Sequence, residues 1–182
     1  MSAHFQVITI RALEPGQRER IRAIVHATGV FRPSEAEIAL EVFDAAVERP
    51  GVDYTALGAF DDEGTALAFA CFGPTPCTAG TWDLYWIAVD PEGQRQGIGR
   101  RLMESCEEAI AAARGRMVVV ETSSRDDYGP TRRFYETLGY TATARVPGFY
   151  APGDDLVIYT YAVRKPQARK PKEPRKRAAR RG

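Results

Sequence analysis

The segment from Ile87 to Arg101, IAVDPEGQRQGIGRR, constrains this chain more than any other part of its sequence. A strand pattern ends at Val89, a loop containing Gly97 and Gly99 follows, and an amphipathic helix begins at once. Glycine lets the backbone approach a ligand closely, and the free amides of a helix N-terminus attract anions. The segment therefore indicates an anion cradle, to which the neighbouring arginines add charge. A plain turn and helix start is the alternative.

Two familiar nucleotide-binding loops do not fit this segment. A dinucleotide fold would need its third glycine at Leu102, and residues 90–96 separate the strand from Gly97, whereas the dinucleotide fingerprint follows its strand directly. The one feature that fits a dinucleotide fold is Glu121, which lies on the next strand at about the distance expected for the acid that binds the ribose. The Gly-Lys-Ser/Thr sequence of a Walker loop is missing as well. The rest of the chain must therefore identify the anion.

Hydrophobic periodicity predicts one mixed α/β domain with the element order β-α-α-β-β-β-α-β-α-β-β. The predicted strands cover residues 5–13, 54–60, 65–72, 82–89, 117–122, 140–146 and 156–163, and the predicted helices cover residues 14–29, 34–50, 98–113 and 130–138. The last two strands flank a predicted loop from Pro147 to Asp155. The chain shows no internal repeat.

Charge is divided unevenly along the chain. The last 19 residues hold ten of the 25 lysines and arginines and a single acid, Glu173, whereas residues 1–163 contain no lysine and an excess of acids. A proline-rich polycation without large apolar residues cannot bury enough surface to offset its ordering entropy. We expect a folded domain over residues 1–163 and a disordered basic tail over residues 164–182.

Cysteine usage and the N-terminus favour a cytoplasmic protein. Cys71, Cys77 and Cys106 cannot all pair with one another, and the first ten residues lack the pattern of a signal peptide. No run approaches the roughly 18 apolar residues that a membrane span needs. We expect neither a membrane segment nor a bound metal.

Two motifs resemble those of the GNAT superfamily of N-acetyltransferases. The sequence from Gln94 to Gly99 is similar to the family's Gln/Arg-x-x-Gly-x-Gly/Ala loop, and the sequence from Phe134 to Tyr140 is similar to its second motif, a helix with a tyrosine followed by Leu-Gly-aromatic. The element order matches the GNAT fold over residues 5–163. The resemblance implies a sheet whose central strands, ending at Val89 and Val120, splay apart to admit acetyl-CoA.

The resemblance also implies which residues hold that co-substrate. The loop amides would bind its pyrophosphate, and the strand backbone before the loop would pair with its pantetheine arm. The implied contacts are Ile87, Ala88, Val89, Gln94, Arg95, Gln96, Gly97, Ile98, Gly99 and Arg100. Seven residues before Tyr135, where many members have an asparagine, this chain has Tyr128. Ser123, Ser124 or Tyr128 could replace that asparagine.

Acetylation of an amine needs a general base, because a lysine-type amine has a pKa of about 10.4. The resemblance places a catalytic glutamate of some members at Asp83, which we expect to act through a water, and gives Tyr135 the role of protonating the leaving thiolate. Strand alternation predicts that Asp83, Tyr85, Ile87 and Val89 share one face. Asp83 as a solvated strand start and Tyr135 as a core residue are the alternatives.

The acceptor is indicated by aromatic and acidic residues near the C-terminal end of the domain. The loop from Phe149 to Asp155 resembles the tyrosine-and-acid hairpin with which protein N-terminal acetyltransferases grip a peptide amine. Acids beside aromatic rings suit a cationic amine. The candidate acceptor residues are Tyr85, Phe149, Tyr150, Asp154 and Asp155. An ordinary Pro-Gly turn is the alternative.

Three functions compete. The first is an enzyme that transfers an acetyl group from acetyl-CoA to a primary amine by direct general acid and base catalysis, acting as a monomer or homodimer. The second is a catalytically silent acyl-CoA sensor, which the missing asparagine would suit. The third is a nucleic-acid-associated protein that acts through its basic tail. The two motifs favour the enzyme.

Overall fold

The computed structural model describes residues 7–94 and 96–163, which form a seven-stranded mixed sheet flanked by four α-helices. The predicted element order is confirmed. The predicted tail and Arg95 lie outside the described residues. The elements are β1 Thr9–Ala12, α1 Arg18–Ala27, α2 Pro33–Glu48, β2 Thr55–Phe60, β3 Ala66–Pro74, β4 Thr81–Val89, α3 Ile98–Ala112, β5 Met117–Ser123, α4 Gly129–Thr137, β6 Thr141–Ala151 and β7 Asp154–Ala162.

The sheet has the strand order β1-β2-β3-β4-β5-β7-β6, and its parallel pair is β4 with β5. These two strands pair through Thr81–Leu84 and Met117–Val120, after which they separate. Each strand keeps its outer neighbour along the rest of its length, β3 for β4 and β7 for β5. The splay that we predicted between the central strands is therefore confirmed, and it opens the middle of the sheet.

Each face of the sheet carries its own apolar core. Helices α3 and α4 cover one face, where Leu102, Met103 and Tyr135 pack against the strands. Helices α1 and α2 cover the other, where Ile24 and Phe43 are fully buried. Truncating a buried leucine of this kind costs about 2–5 kcal/mol of unfolding free energy. Both cores hold the splayed strands in place from opposite sides.

A β-bulge interrupts β4 near its middle. Phe72 of β3 lies opposite Leu84, but the preceding residue, Cys71, lies opposite Trp86, so that Tyr85 has no partner on β3. An inserted residue of this kind resets the alternation of side chains along its strand. Leu84 therefore faces the α3/α4 core before the bulge, and Ile87 faces the same core after it.

The bulge makes one expectation wrong. Asp83, Tyr85, Ile87 and Val89 do not share a face, because Ile87 and Val89 pack toward the α3/α4 core while Asp83 alternates with Leu84 and lies on the α1/α2 face. Strand periodicity alone carries no signal of the inserted residue. The consequence is that Asp83 lies on the opposite face of the sheet from the two apolar residues at the end of β4.

The hairpin of β6 and β7 is longer than expected. β6 continues to Ala151 and turns at Gly153, which has φ +84°, so that most of the predicted loop belongs to a strand. Between the paired residues Val146 and Ala151 the register shifts, which marks a bulge. Pro147 favoured a loop in the sequence, but β6 is an edge strand, where proline is tolerated. Among the described residues, no helix is long and apolar enough to cross a membrane.

Candidate active site

The splay between β4 and β5 opens into a cleft of about 1180 Å³. Its walls are the separated ends of both strands, the glycine loop, the start of α4 and the connection between α1 and α2. We call the part on the α3/α4 face the donor side and the part on the α1/α2 face the acceptor side, after the two molecules that the sequence analysis expects there. The two sides meet through the gap in the sheet, since no hydrogen-bonded ladder joins β4 to β5 beyond Leu84 and Val120.

The glycine loop forms the mouth of the donor side. Gly97 caps the N-terminus of α3 with φ +75°, a conformation that side chains rarely adopt, and a Cβ built there would meet no atom within 4 Å. Gly99 lies in the first turn of α3, where a Cβ would touch Phe134 and Val89 at 3.4 Å. The first amides of α3 thus border an open space, and this geometry fits a pyrophosphate.

The other predicted contacts of the loop are distributed around this mouth. The Gln94 side chain lines the cleft and donates from Nε2 to the Val89 carbonyl oxygen at 3.4 Å. Arg100 also lines it, while its guanidinium donates to the Thr137 carbonyl oxygen at 3.2 Å. The Gln96 side chain instead donates to the Glu92 carbonyl oxygen at 3.3 Å and is not among the lining residues. Ile87, Ala88, Val89, Gly97, Ile98 and Gly99 all line the cleft.

Tyr135 lies deep on the donor side, with 3% of its surface exposed. Its ring packs against those of Phe134, Tyr140 and Tyr159, with centroids 5.5, 5.7 and 5.8 Å away. Burial raises the pKa of the Tyr135 hydroxyl well above its usual value. The hydroxyl therefore keeps its proton over the pH range of an ordinary assay, as a proton donor must.

Tyr128 also lines the cleft, in the short turn before α4. Burial raises its pKa to about 12. The two serines named above as replacements for the family's asparagine are engaged elsewhere. Ser123 Oγ donates to the Asp154 carboxylate, and Ser124 Oγ accepts from the Asp155 amide at 2.8 Å. Tyr128 is thus the remaining candidate for that contact.

On the acceptor side, Asp83 projects from β4 into the cleft. Its Oδ2 accepts a hydrogen bond from Thr75 Oγ1 at 2.7 Å and a long one from the Tyr85 hydroxyl at 3.5 Å. Burial, followed by the nearby Asp83 charge, raises the pKa of Tyr85 to about 12. Asp83 therefore lies beside the neutral phenol of Tyr85 and the hydroxyl of Thr75. Its second oxygen, Oδ1, accepts no hydrogen bond from the described residues.

Glu121 is a second cleft carboxylate on this side, and the sequence analysis did not assign it a role. It follows Val120, the last residue of β5 that pairs with β4, and its side chain is exposed. Glu121 and Ser123 point to the same face of β5, because side chains two residues apart on a strand share a face. Ser123 bonds Asp154, which in turn binds Arg32 at the start of α2. Glu121 therefore lies on the acceptor side. The signal for it was a charged residue directly after the apolar run from Met117 to Val120.

Aromatic rings and acids dominate the acceptor side. The Tyr150 hydroxyl has its pKa raised by burial and then by the charges of Glu121 and Asp154, so these groups lie close together. Asp154 is ion-paired with Arg32 at 3.2 Å, but among the described residues no arginine forms an ion pair with Glu35, Asp83 or Glu121. The lining aromatic residues of the acceptor side are Phe31, Tyr85, Trp86 and Tyr150, with Tyr128 at its border.

Two predicted acceptor residues do not line the cleft. The Asp155 carboxylate accepts from the Gly148 amide at 2.7 Å and binds Arg145 at 2.6 Å, contacts that hold the bulge of β6 and lower the Asp155 pKa. Phe149 is 57% exposed on the edge strand. The cleft thus contains Tyr85, Tyr150 and Asp154 of the predicted set but neither Phe149 nor Asp155.

No cysteine lies among the residues that line the cleft. Cys71 and Cys106 are buried in the two cores, where burial raises the pKa of Cys71 to about 12, and Cys77 is exposed elsewhere. A thiol that stays protonated is a poor nucleophile. The cleft therefore offers acids and hydroxyls on two sides of a gap, an arrangement suited to transferring a group directly from one bound molecule to another.

Comparisons with known proteins agree with this geometry. The family profile of the acetyltransferase (GNAT) domain matches residues 53–142. A GNAT-family protein of known structure from Desulfovibrio desulfuricans is 39% identical, with a TM-score of 0.83 over 87% of this chain and 100% of that chain. A search of curated protein sequences found no significant match.

More distant structures share the fold. The ribosomal-protein-S18-alanine N-acetyltransferase of Escherichia coli is 22% identical, with a TM-score of 0.70 over 86% of this chain and 94% of that chain. The yncA protein of Salmonella typhimurium, whose structure contains acetyl-CoA, is 20% identical, with a TM-score of 0.68 over 90% of this chain and 98% of that chain. At these identities the likeness concerns the fold alone.

Proposed function

The chain belongs to the GNAT superfamily of acetyltransferases, and from that premise we propose that it transfers the acetyl group of acetyl-CoA directly to a cationic primary amine. The observation that carries the proposal is the cleft through the splayed sheet, with a glycine cradle and Tyr135 on one side. On the other side lie Glu35, Asp83 and Glu121, carboxylates that form no ion pair among the described residues. Such an arrangement lets donor and acceptor enter from opposite faces and meet in the gap.

Acetyl-CoA supplies an acetyl thioester, which an uncharged amine can attack. The chain's own residues would bind and orient it. The amides around Gly97 at the start of α3 would bind the pyrophosphate, and the backbone of Ile87 to Val89, which has no partner on β5, would pair with the pantetheine arm. The Tyr135 hydroxyl donates its proton to the departing sulfur. Burial keeps the hydroxyl protonated, so that a proton is present for this step.

The proton of the acceptor amine leaves on the other side of the gap. Asp83 and Glu121 are the two carboxylates on the splayed strands themselves, one on each, and either can accept that proton through a water. Asp83 already accepts a hydrogen bond from Thr75, whereas Glu121 has no described hydrogen-bond donor. We therefore propose Glu121 as a second candidate base beside Asp83.

The charge of the acceptor side supports a cationic substrate. Glu35, Asp83 and Glu121 line this side and form no ion pair with an arginine among the described residues. Tyr85, Trp86 and Tyr150 present aromatic rings nearby. Carboxylates attract an ammonium group and aromatic faces add cation–π contact of about 0.5–2 kcal/mol. Anionic acceptors would be repelled by the same groups.

The experiment is a matched acceptor panel. The full chain is incubated with acetyl-CoA and four sets of primary amines of similar size: cationic diamines, amino acid amides, peptides with free N-termini, and amino acids with acidic side chains. Mass spectrometry then detects products heavier by one acetyl group. We expect the cationic members to be acetylated, and faster at low salt than at high salt.

Two outcomes would contradict the proposal. Preferential acetylation of the acidic members would overturn the cationic substrate. Tight binding of acetyl-CoA by calorimetry, with no acetylated product in any set, would instead favour the acyl-CoA sensor. Heat-denatured protein provides the control for non-enzymatic acetylation.

A further inference from the structure

Thr122 carries an unexplained buried hydroxyl. The residue is 5% exposed, and its Oγ1 has no hydrogen-bond partner among the described residues, a condition shared there only with Arg22 Nε. A buried polar atom without a partner costs about 1–3 kcal/mol. Thr122 also lines the cleft, so the missing partner can come from a bound molecule.

The position of Thr122 within β5 decides which molecule that is. Its side chain alternates in phase with Val118 and Val120, both members of the α3/α4 core, and therefore lies on the donor side with Tyr135. Its backbone pairs with Val157 of β7, while the edge toward β4 is free because the strands have already splayed. The acceptor-side acids lie on the other face of the sheet.

We propose that the Thr122 hydroxyl hydrogen-bonds an amide group of the pantetheine arm of acetyl-CoA and so positions the thioester beside Tyr135. This inference rests on the proposed function, since it takes acetyl-CoA as the donor. The glycine loop supplies the anion cradle at Gly97, so an uncharged hydroxyl on β5 suits the neutral part of the molecule. A pantetheine amide offers both a carbonyl acceptor and an N–H donor, and a hydroxyl can pair with either.

The test compares Thr122→Val with Thr122→Ser by isothermal titration calorimetry, using two ligands. Coenzyme A contains the pantetheine arm, and adenosine 3′,5′-bisphosphate does not. Because a net hydrogen bond contributes about 0.5–1.5 kcal/mol, we expect Thr122→Val to weaken coenzyme A binding about threefold to tenfold. Its affinity for adenosine 3′,5′-bisphosphate should stay unchanged, and Thr122→Ser should bind both ligands like the wild type.

Denaturant unfolding of the ligand-free proteins provides a readout that does not depend on the ligand. Thr122→Val removes an unpartnered hydroxyl and keeps the β-branched shape, so the free variant should be as stable as the wild type or more stable. If the valine variant does not fold, Thr122→Ala compared with Thr122→Ser isolates the hydroxyl in the same titrations.

The outcomes distinguish a failure of the Thr122 inference from a failure of the proposed acetyltransferase function. Equal coenzyme A affinity for wild type and Thr122→Val would overturn the role of Thr122 while leaving the acetyltransferase intact. Equal weakening of both ligands would also overturn it, because the hydroxyl would then act on the whole site. A folded wild-type protein that binds no coenzyme A would overturn the proposed function itself.

Discussion

The donor and acceptor sides of the cleft are built in different ways. The donor side comes from two contiguous segments, the run from β4 through Gly97 into α3 and the start of α4 with Tyr135. The acceptor side gathers single residues from separate parts of the chain, including Phe31 after α1, Glu121 on β5 and Tyr150 on β6. A site for a constant donor can thus be a local motif, whereas a site for a particular acceptor depends on tertiary structure.

The two sides also differ in charge. The donor side combines free helix amides with the apolar residues Ile87 and Val89 and with Arg100 at its mouth. The acceptor side carries Glu35 and Glu121, which form no ion pair with an arginine among the described residues. We therefore expect the donor side to attract an anionic molecule and the acceptor side to attract a cationic one. Four substitutions and one deletion test this division, beginning with the largest expected effect.

Gly97→Glu should abolish binding on the donor side. A carboxylate about 4 Å from a phosphate costs about 4 kcal/mol at an intermediate effective dielectric, which corresponds to about a thousandfold loss of coenzyme A affinity. Gly51→Glu is the matched control, since Gly51 has the same φ of +75°, equally open surroundings and no part in the cleft. Calorimetry of both folded variants decides, and unchanged affinity in Gly97→Glu would refute the phosphate cradle.

Tyr135→Phe should leave the donor bound but slow the reaction. Loss of the proton donor predicts a drop in kcat of about a hundredfold, with coenzyme A affinity nearly unchanged. Tyr140→Phe is the control, because that buried tyrosine donates to Glu107 at 3.0 Å outside the cleft. Steady-state kinetics on an identified amine compare the two, and a wild-type kcat for Tyr135→Phe would make Tyr135 a packing residue.

The raised pKa of Tyr135 adds a pH dependence. A proton donor whose pKa is raised stays in its active, protonated form at every pH below that raised value. The kcat of the wild-type protein should therefore show no alkaline decline up to about pH 10, the pKa of an ordinary tyrosine. A decline centred well below that pH, absent in Tyr135→Phe, would show that the hydroxyl ionises and that its burial is not maintained in solution.

Asp83→Asn and Glu121→Gln should affect the acceptor side alone. The variant that lacks the base should lose about tenfold or more of kcat/KM at neutral pH and recover as the pH approaches the amine pKa of about 10.4, where the amine needs no base. The other variant serves as its control. Neither should change coenzyme A affinity, and a pH-independent loss in both would mean that these acids only hold the substrate.

Deletion of residues 164–182 should have the smallest effect on catalysis. The last described backbone contact joins the Val163 amide to the Arg116 carbonyl oxygen at 3.0 Å. The sequence analysis assigns no site residue to the tail beyond it. Turnover of a small amine should therefore stay within about twofold. Filter binding should show any nucleic-acid affinity lost with the tail and, in the full chain, falling steeply with salt. Salt-insensitive binding of nucleic acid by the truncated domain would contradict the division between a catalytic domain and a nucleic-acid-binding tail.

The elements that form the donor side could be predicted from the sequence because their signals are local. The glycine loop and the helix that follows it were predicted from neighbouring residues, and the order of the elements was predicted from hydrophobic periodicity. The splay was implied by the family resemblance, and in the structure the pairing of β4 with β5 ends at Leu84 and Val120. The positions of Gly97, Ile98 and Tyr135 in the cleft agree with that reading. Their roles in binding and catalysis stay predictions.

The acceptor side was harder to predict because its geometry depends on pairing between strands. The bulge at Tyr85 places Asp83 and Ile87 on opposite faces of the sheet. The alternation of residues in the sequence of β4 does not predict this bulge. Glu121 reaches the cleft because β5 and β4 separate after Val120. Asp155 binds Arg145 and does not line the cleft. Such contacts join residues that the sequence holds far apart.

The central claim is direct transfer across the gap while both molecules are bound, and initial-velocity kinetics test it most directly. Rates are measured with an identified amine at several fixed concentrations of acetyl-CoA and plotted reciprocally. We expect the lines to intersect, because the reaction then requires a ternary complex with the donor on one face and the acceptor on the other. Parallel lines, together with an acetylated form of the protein in mass spectrometry, would reveal a covalent intermediate and contradict the account.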